Sequence, residues 1–232
     1  MKIAILLAGP YRGNQTIIEN HKKLIGEYDT YVSCFEHYRE DWINSEWPIK
    51  ELFTTPYIDF KETNWSKYRD DAAGQSGFWQ FWNLRNVIKN TPNHYDWYIK
   101  NRCDLIFDSG QITEYLFTTL DENTLYCPTT YFDGRDWDYT HLLNDQFYIG
   151  DYKTMSVISE FVTEFYKTNR HGLNEAGPFI GSNESSLRLF LNENNINIKS
   201  LNDIKYRKDH NGVTIVSGAS AYQLEKIEKN DK

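Results

Sequence analysis

The chain has 232 residues, 40% of them hydrophobic and 25% charged, which is enough apolar content for one large core or two small ones and excludes wholesale disorder, a collagen-like repeat and a coiled coil. Its 33 acidic residues against 25 basic ones leave a formal net charge of -8, the opposite of the basic face that a nucleic-acid partner requires. No stretch reaches the ~18 uncharged apolar residues of a membrane span, and Met1 to Ala8 runs into Gly9-Pro10 without a signal-peptide pattern, so a soluble, cytoplasmic protein is expected.

The opening Lys2 to Ala8 is a short apolar run closed by Gly9-Pro10, the pattern of a strand buried on both faces of a parallel sheet. Asn14 or Thr16 caps a following helix that carries Ile17, Ile18, His21, Leu24 and Ile25 at helical spacing. Tyr28 to Cys34 reads as a second strand and Ile49 to Thr54 as a third, so the chain begins as an α/β sheet with right-handed crossovers. Tyr57 to Gly74 has no period and reads as an ordered loop. Phe78, Phe81, Trp82, Arg85 and Ile88 then share a helical face, and Pro92-Asn93 ends that helix.

Tyr95 to Phe107 is the clearest strand, and Thr124 to Cys127 is a short one before Pro128. Thr130 to His141 reads as an irregular loop, and Gln146 to Ile149 as a short strand. Met155 to Phe165 gives a helix, Arg170 to Gly181 a loop, and Asn183 the start of a helix carrying Leu187, Phe190 and Leu191. Asn197 to Leu201 is a last strand. No repeat or linker splits the chain, so a single domain over 1–224 is expected, followed by a charged, frayed tail over 225–232. Cys34, Cys103 and Cys127 match neither a disulfide framework nor a zinc site and read as reduced, buried thiols. The 17 Tyr and 7 Trp suit either sugar-binding clefts or ordinary ring-rich packing.

Side chains two apart on a strand share a face, so Lys100, Arg102 and Asp104 line up on one side of the Tyr95 to Phe107 segment. Near the carboxyl end of a central strand, two cations and a carboxylate suit a diphosphate with its divalent metal; the other reading is a salt bridge between Arg102 and Asp104 on an edge strand. Gly9 to Asn14 is a strand-to-helix turn where backbone N–H groups and Arg12 favour an anion, or else a plain Gly-Pro turn. Asp145 and Glu184 are carboxylates able to take a proton from an attacking sugar hydroxyl; Asp145 equally suits a turn former, and Glu184 a carboxylate that merely compensates a helix dipole. Asp145 is favoured as the base and Glu184 for orienting the donor sugar. Gln75, Trp79 and Gln80 begin the ring-bearing helix, and Gln80 suits a donor hydroxyl, whereas Trp79 and Trp82 read as core.

The run Ile3 to Arg12, the Tyr28 to Val32 strand, the Arg-x-Asp of Arg102 and Asp104, and Asn144 to Gly150 together resemble the small glycosyltransferases of large DNA viruses and bacterial surface-polysaccharide loci, over roughly residues 1–195. That resemblance implies a GT-A-like fold: a mixed, mostly parallel sheet flanked by helices. It implies that Ala8, Gly9, Pro10, Tyr11 and Arg12 contact the nucleotide, with Tyr11 stacked on the base and Arg12 toward phosphate. Asp104 matches the second Asp of the family's Asp-x-Asp, the ligand of Mn²⁺ or Mg²⁺, while Arg102 stands where the first Asp would be and is suited either to meet diphosphate charge itself or to hold the ribose-side network through Asp104. The resemblance makes His210 a candidate for a late metal ligand, with a surface turn as the other reading. The implied activity is transfer of a hexose or deoxyhexose from a UDP- or GDP-sugar to a glycan or glycoprotein hydroxyl, in the host cytoplasm if the chain is viral. Two other readings stay open: a non-catalytic carbohydrate-binding or virion-associated protein on the same scaffold, and a nucleotidyltransferase, although the latter's Gly- and Lys-rich phosphate loop is missing.

Overall fold

A computed structural model describes residues 1–13, 15, 18, 19, 28–67, 72–103, 105–108, 117–132, 135–137, 147–165, 183–207 and 223–226. Its frame is an eight-stranded sheet. Strand β1 (Ile3–Ala8) lies between β2 (Asp29–Phe35) and β4 (Trp97–Asn101), with β3 (Glu51–Thr55) outside β2, and all three pairings are parallel. Beyond β4 the sheet turns antiparallel through β8 (Tyr148–Gly150), β6 (Thr124–Phe132) and β7 (Arg135–Trp137), while β9 (Asn197–Arg207) joins β6 in parallel. Four of the seven pairings are therefore parallel. A separate antiparallel ribbon joins β5 (Leu105–Asp108) to β10 (Gln223–Lys226), so Glu225 and Lys226, expected in a frayed tail, belong to a strand.

Residues of β1 alternate between two cores. Ile3, Ile5 and Leu7 pack on one face with Val32, Trp42, Trp47, Trp97 and Ile99, whereas Ala4 and Leu6 pack on the other. This second face is covered by α2 (Ala72–Asn90), α3 (Tyr152–Glu164) and α4 (Asn183–Glu193), which contribute Phe78, Phe81, Leu84, Met155, Phe161, Leu187 and Phe190. A short helix α1 (Arg39–Ile43) follows β2 and buries Trp42; nothing in the sequence pattern foretells it. Much of the aromatic surplus serves this packing: Trp65 stacks on Phe165 with ring centres 4.3 Å apart and meets Phe161 edge-on at 5.4 Å. Asp151 caps α3 by accepting from the Thr154 N–H at 2.7 Å. Across the helices, Glu160 of α3 pairs with Lys89 and Arg85 of α2.

Three expectations are corrected. The segment Tyr95 to Phe107 is not one strand, because β4 stops at Asn101, the last residue with a partner on β1, and β5 starts anew against β10. Once β1 has turned at Gly9-Pro10, no edge remains for β4 to follow. Strand β6 does not end at Pro128 but runs to Phe132, since the missing N–H falls at the register shift between Cys127 and Thr129, and Thr130 onward forms a hairpin with β7 rather than a loop. Helix α2 starts at Ala72, inside the expected loop, which also holds single helical turns at Phe60–Glu62 and Trp65–Lys67. Gln15, Ile18 and Glu19 are helical, as the first crossover requires, while the expected loop over 170–181 lies outside the described residues. None of the three cysteines is in a disulfide, and all are buried. Among the described residues, no helix is long and apolar enough to cross a membrane.

At the amino ends of the parallel strands one polar cluster ties β2, β3 and β4 together. Tyr95 donates to Asp29 at 2.6 Å, Lys50 reaches the same carboxylate at 2.7 Å, and the Tyr31 and Tyr95 hydroxyls are 2.6 Å apart. The Lys50 and Tyr95 hydrogen bonds hold the Asp29 carboxyl below its ordinary range, while burial, reinforced by Asp29, pushes the Tyr95 hydroxyl up. A lowered folded value means stability that is present above the unfolded carboxylate range, near pH 4, and is lost as pH falls through the folded value. Asp29→Asn should therefore lower the melting temperature at pH 7 by roughly 1–2 °C, the equivalent of about 0.5 kcal/mol after discounting for solvent exposure. In thermal melts the gap should close in strong acid; an equal gap at both pH values would contradict this assignment.

Candidate functional site

The carboxyl ends of β1, β2 and β4 open into one cavity of about 260 Å³. Because the chain fills β2 and β3 to one side of β1 before crossing to β4 on the other, the cavity stands at a topological switch point, where strand-exit loops diverge and leave a crevice. The β1 exit lines it with Ala8, Gly9, Pro10 and Arg12, and the β4 exit with Lys100, Arg102 and Cys103. The β2 exit adds Phe35, His37 and Tyr38, and Tyr57 joins them from the segment after β3. Helix α2 closes the remaining side with Gln75, Ser76, Trp79, Gln80 and Asn83.

Local chemistry fixes each wall. Gly9 has φ of +105°, a conformation that strains any side-chain-bearing residue; its N–H donates to the Ser33 carbonyl at 2.8 Å and its carbonyl accepts from the Trp42 indole at 2.9 Å. The loop it begins is clasped by Cys103, whose sulfur accepts from the Arg12 N–H at 3.2 Å and donates to the Pro10 carbonyl at 3.6 Å. On the helix side, the Trp79 indole donates to the Ile58 carbonyl at 3.2 Å, and Asn83 donates to the Trp79 carbonyl at 2.9 Å while accepting from Ser33. The rings form a continuous group: Trp79 meets Tyr57 at 5.4 Å and Phe35 at 6.2 Å, and His37 stacks near parallel on Phe35 at 5.9 Å. Tyr57 is 52% exposed, so this group faces the cavity mouth.

Three cations, Arg12, Lys100 and Arg102, stand on the wall, and none of the described lining residues is Asp or Glu. Among the described lining residues this is an excess of positive charge in a chain of net charge -8, and it favours an anionic ligand. Lys100 is 1% exposed, with its ammonium 5.1 Å from the centre of the Tyr148 ring, a contact that offsets part of its desolvation.

Of the residues nominated for nucleotide contact, Ala8, Gly9, Pro10, Arg12, Gln80, Lys100 and Arg102 are brought together here. Tyr11 is not on this wall: its ring packs edge-on against Trp42 at 5.2 Å and Trp47 at 6.5 Å, and burial, with smaller effects from Cys103 and Glu46, pushes its hydroxyl up. Asp104, Asp145 and His210 lie outside the described residues, and Glu184 lies in the first turn of α4 with its side chain undescribed. Among the described residues no group of three or more His, Cys, Asp or Glu is placed to hold a metal ion, so the described wall by itself does not form a Mn²⁺ or Mg²⁺ site.

Sequence reasoning missed Phe35, His37, Tyr38, Tyr57, Ser76 and Asn83, and it put Cys103 on the opposite face of a continuous strand. The β2 exit was findable from the switch-point rule, because any residue directly after β2 has to flank the same crevice. Tyr57 had no local signal.

No family model and no curated protein matches the sequence. Among solved structures, the chain is similar to a glycosyltransferase involved in the glycosylation of the major capsid of PBCV-1, at 11% identity and a TM-score of 0.42 over 86% of this chain and 81% of that one. It is also similar to 4-diphosphocytidyl-2C-methyl-D-erythritol synthase of Anaerococcus prevotii, at 10% identity and a TM-score of 0.46 over 94% and 93%. The glycosyltransferase GlyE of Streptococcus pneumoniae aligns at 14% identity and a TM-score of 0.43 over 88% of this chain, which spans 46% of GlyE. At TM-scores below 0.5 these likenesses carry no residue role and no activity over to this chain.

The Cys103 clasp is open to direct test. Cys103→Ala removes the acceptor of the Arg12 N–H, and exchange of that amide measured by NMR should quicken by about tenfold, the equivalent of one lost hydrogen bond, while Cys103→Ser keeps it slow. Unchanged exchange in Cys103→Ala would show that Arg12 is held by something other than the thiol.

Proposed function

We propose that this chain is a glycosyltransferase that takes a hexose or deoxyhexose from a nucleoside diphosphate sugar, with UDP or GDP as the nucleotide, and passes it to a glycan or glycoprotein hydroxyl. The observation that carries the reading is the pairing, in one switch-point cavity, of three cations at the β1 and β4 exits with a group of rings at the β2 exit. Cations meet a diphosphate and rings meet a base, so a nucleotide fits both walls at once.

In this reading the acceptor hydroxyl oxygen attacks the anomeric carbon, the bond from that carbon to the diphosphate oxygen breaks, and the nucleoside diphosphate leaves with the electron pair. Arg12, Lys100 and Arg102 stabilise the charge that collects on the leaving group, an effect that is large where water is excluded. Asp145 takes the hydroxyl proton and Glu184 orients the sugar. Asp104 follows Cys103 of the cavity wall in sequence, and a Mn²⁺ or Mg²⁺ ion on Asp104 and His210 would add charge at the diphosphate.

Calorimetry of the full chain against UDP and GDP, each with and without Mn²⁺, tests the proposal. One nucleotide should bind without metal, and Arg102→Lys should weaken it about tenfold because an ammonium cannot replace the bidentate guanidinium fork. A chain that binds free glycans but neither nucleotide would instead be the carbohydrate-binding protein of the alternative reading.

A further inference from the structure

The cavity wall has three chemically distinct sectors. The strand exits bring the cations Arg12, Lys100 and Arg102, the β2 side brings the rings Phe35, His37 and Tyr38, and α2 brings Trp79 beside the neutral hydrogen-bonding groups Gln75, Ser76 and Gln80. A nucleoside diphosphate sugar has three matching parts: an aromatic base, a diphosphate and a neutral polyhydroxyl. With rings and cations assigned, the hydroxyls fall to α2, whose amides and hydroxyl both donate and accept.

Gly77 lies within this stretch of α2, between Ser76 and Gln80. A Cβ built on it would stand 1.6 Å from Asn183 Nδ2 and 2.5 Å from Asn183 Cγ, so the Asn183 carboxamide occupies the notch that a side chain at 77 would fill. Asn183 opens α4, and the two helices share one core through Phe78 and Phe81 on one side and Leu187 and Phe190 on the other. Glycine inside a helix costs about 1 kcal/mol relative to alanine, so this glycine needs a packing reason, and the notch supplies it.

Resting on the transferase reading, we infer that Gly77 is a positioning residue for the sugar end of the donor: the Gly77–Asn183 notch sets the cavity-facing turns of α2 against α4 and thereby places Gln75, Ser76 and Gln80 where the sugar hydroxyls lie. The contact joins the sector that would receive the sugar to the first residue of another helix. The three atoms nearest to a side chain at 77 all belong to Asn183. Crowding the notch should therefore disturb recognition of the sugar more than recognition of the nucleotide, to which these turns of α2 contribute only Trp79.

The test compares UDP with UDP-glucose and GDP with GDP-mannose by calorimetry on the full chain. Gly77→Ala has to push the Asn183 carboxamide aside, and affinity for the nucleotide sugar should fall about tenfold, the equivalent of one hydrogen bond, with affinity for the bare nucleotide changed no more than about twofold and the melting temperature unchanged. Adding Asn183→Ala to Gly77→Ala frees the space for the new methyl group and should restore the nucleotide sugar. Ser76→Ala, at an exposed position that leaves the notch intact, should give the same selective loss. If the ratio of the two affinities stays at its wild-type value in Gly77→Ala and in Ser76→Ala, this inference is wrong while the transferase reading stands. A wild-type chain that binds no nucleotide overturns both.

Discussion

Strand β1 is the constraint on which the rest of the molecule depends. It is hydrogen-bonded to parallel partners on both edges and buried on both faces, with Ile3, Ile5 and Leu7 to one side and Ala4 and Leu6 to the other. Burying such side chains contributes roughly 1.5–3 kcal/mol for each of the larger ones, which makes this segment expensive to displace. Because its neighbours run parallel, the carboxyl ends of three strands emerge side by side, and because the chain fills one side of β1 before the other, their exit loops diverge. The cavity follows from that divergence. At the opposite end, the Asp29, Lys50 and Tyr95 cluster ties the amino ends of β2, β3 and β4.

Hydrogen bonds tie the described walls of the cavity to neighbouring elements. Gly9 is tied to β2 and to Trp42, Arg12 to Cys103, Trp79 to Ile58, and Asn83 to both Trp79 and Ser33. Backbone and side-chain groups held by such bonds lose little freedom when a ligand arrives, so less of the interaction energy is lost to ordering. The placement of Lys100 belongs to the same design. Its register opposite Leu6 on one neighbour and Tyr148 on the other buries it in the sheet at the cavity wall, with its ammonium over the Tyr148 ring.

Much of this was legible in the sequence where the signal was local. An apolar run ended by Gly9-Pro10 identifies β1 and its exit, the ring-bearing period identifies α2, and the charges at Lys100 and Arg102 mark the end of β4. What escaped was set by partners far along the chain. Nothing within β4 says that it must stop at Asn101, since the cause is the turn of β1 some ninety residues earlier. A rule that ends strands at proline fails at Pro128 because its neighbour β9 shifts register there and asks for no N–H. Helix α2 hides its start behind Gly74 and Gly77, residues that weaken helix propensity, and the second of them is explained only by Asn183 more than a hundred residues later. His37 and Tyr57 reach the cavity by convergence and carry no periodic mark.

The central claim is that a nucleotide occupies the switch-point cavity between the β1 and β4 exits. The most direct measurement is an amide NMR titration of the full chain with UDP and with GDP. The account predicts that one of them shifts the amides of Gly9, Arg12, His37, Arg102 and Cys103 while those of Asp29, Lys50 and Asp96, at the amino ends of the strands, stay in place. Shifts confined to the amino-end cluster, or no shift with either nucleotide at millimolar concentration, would contradict it.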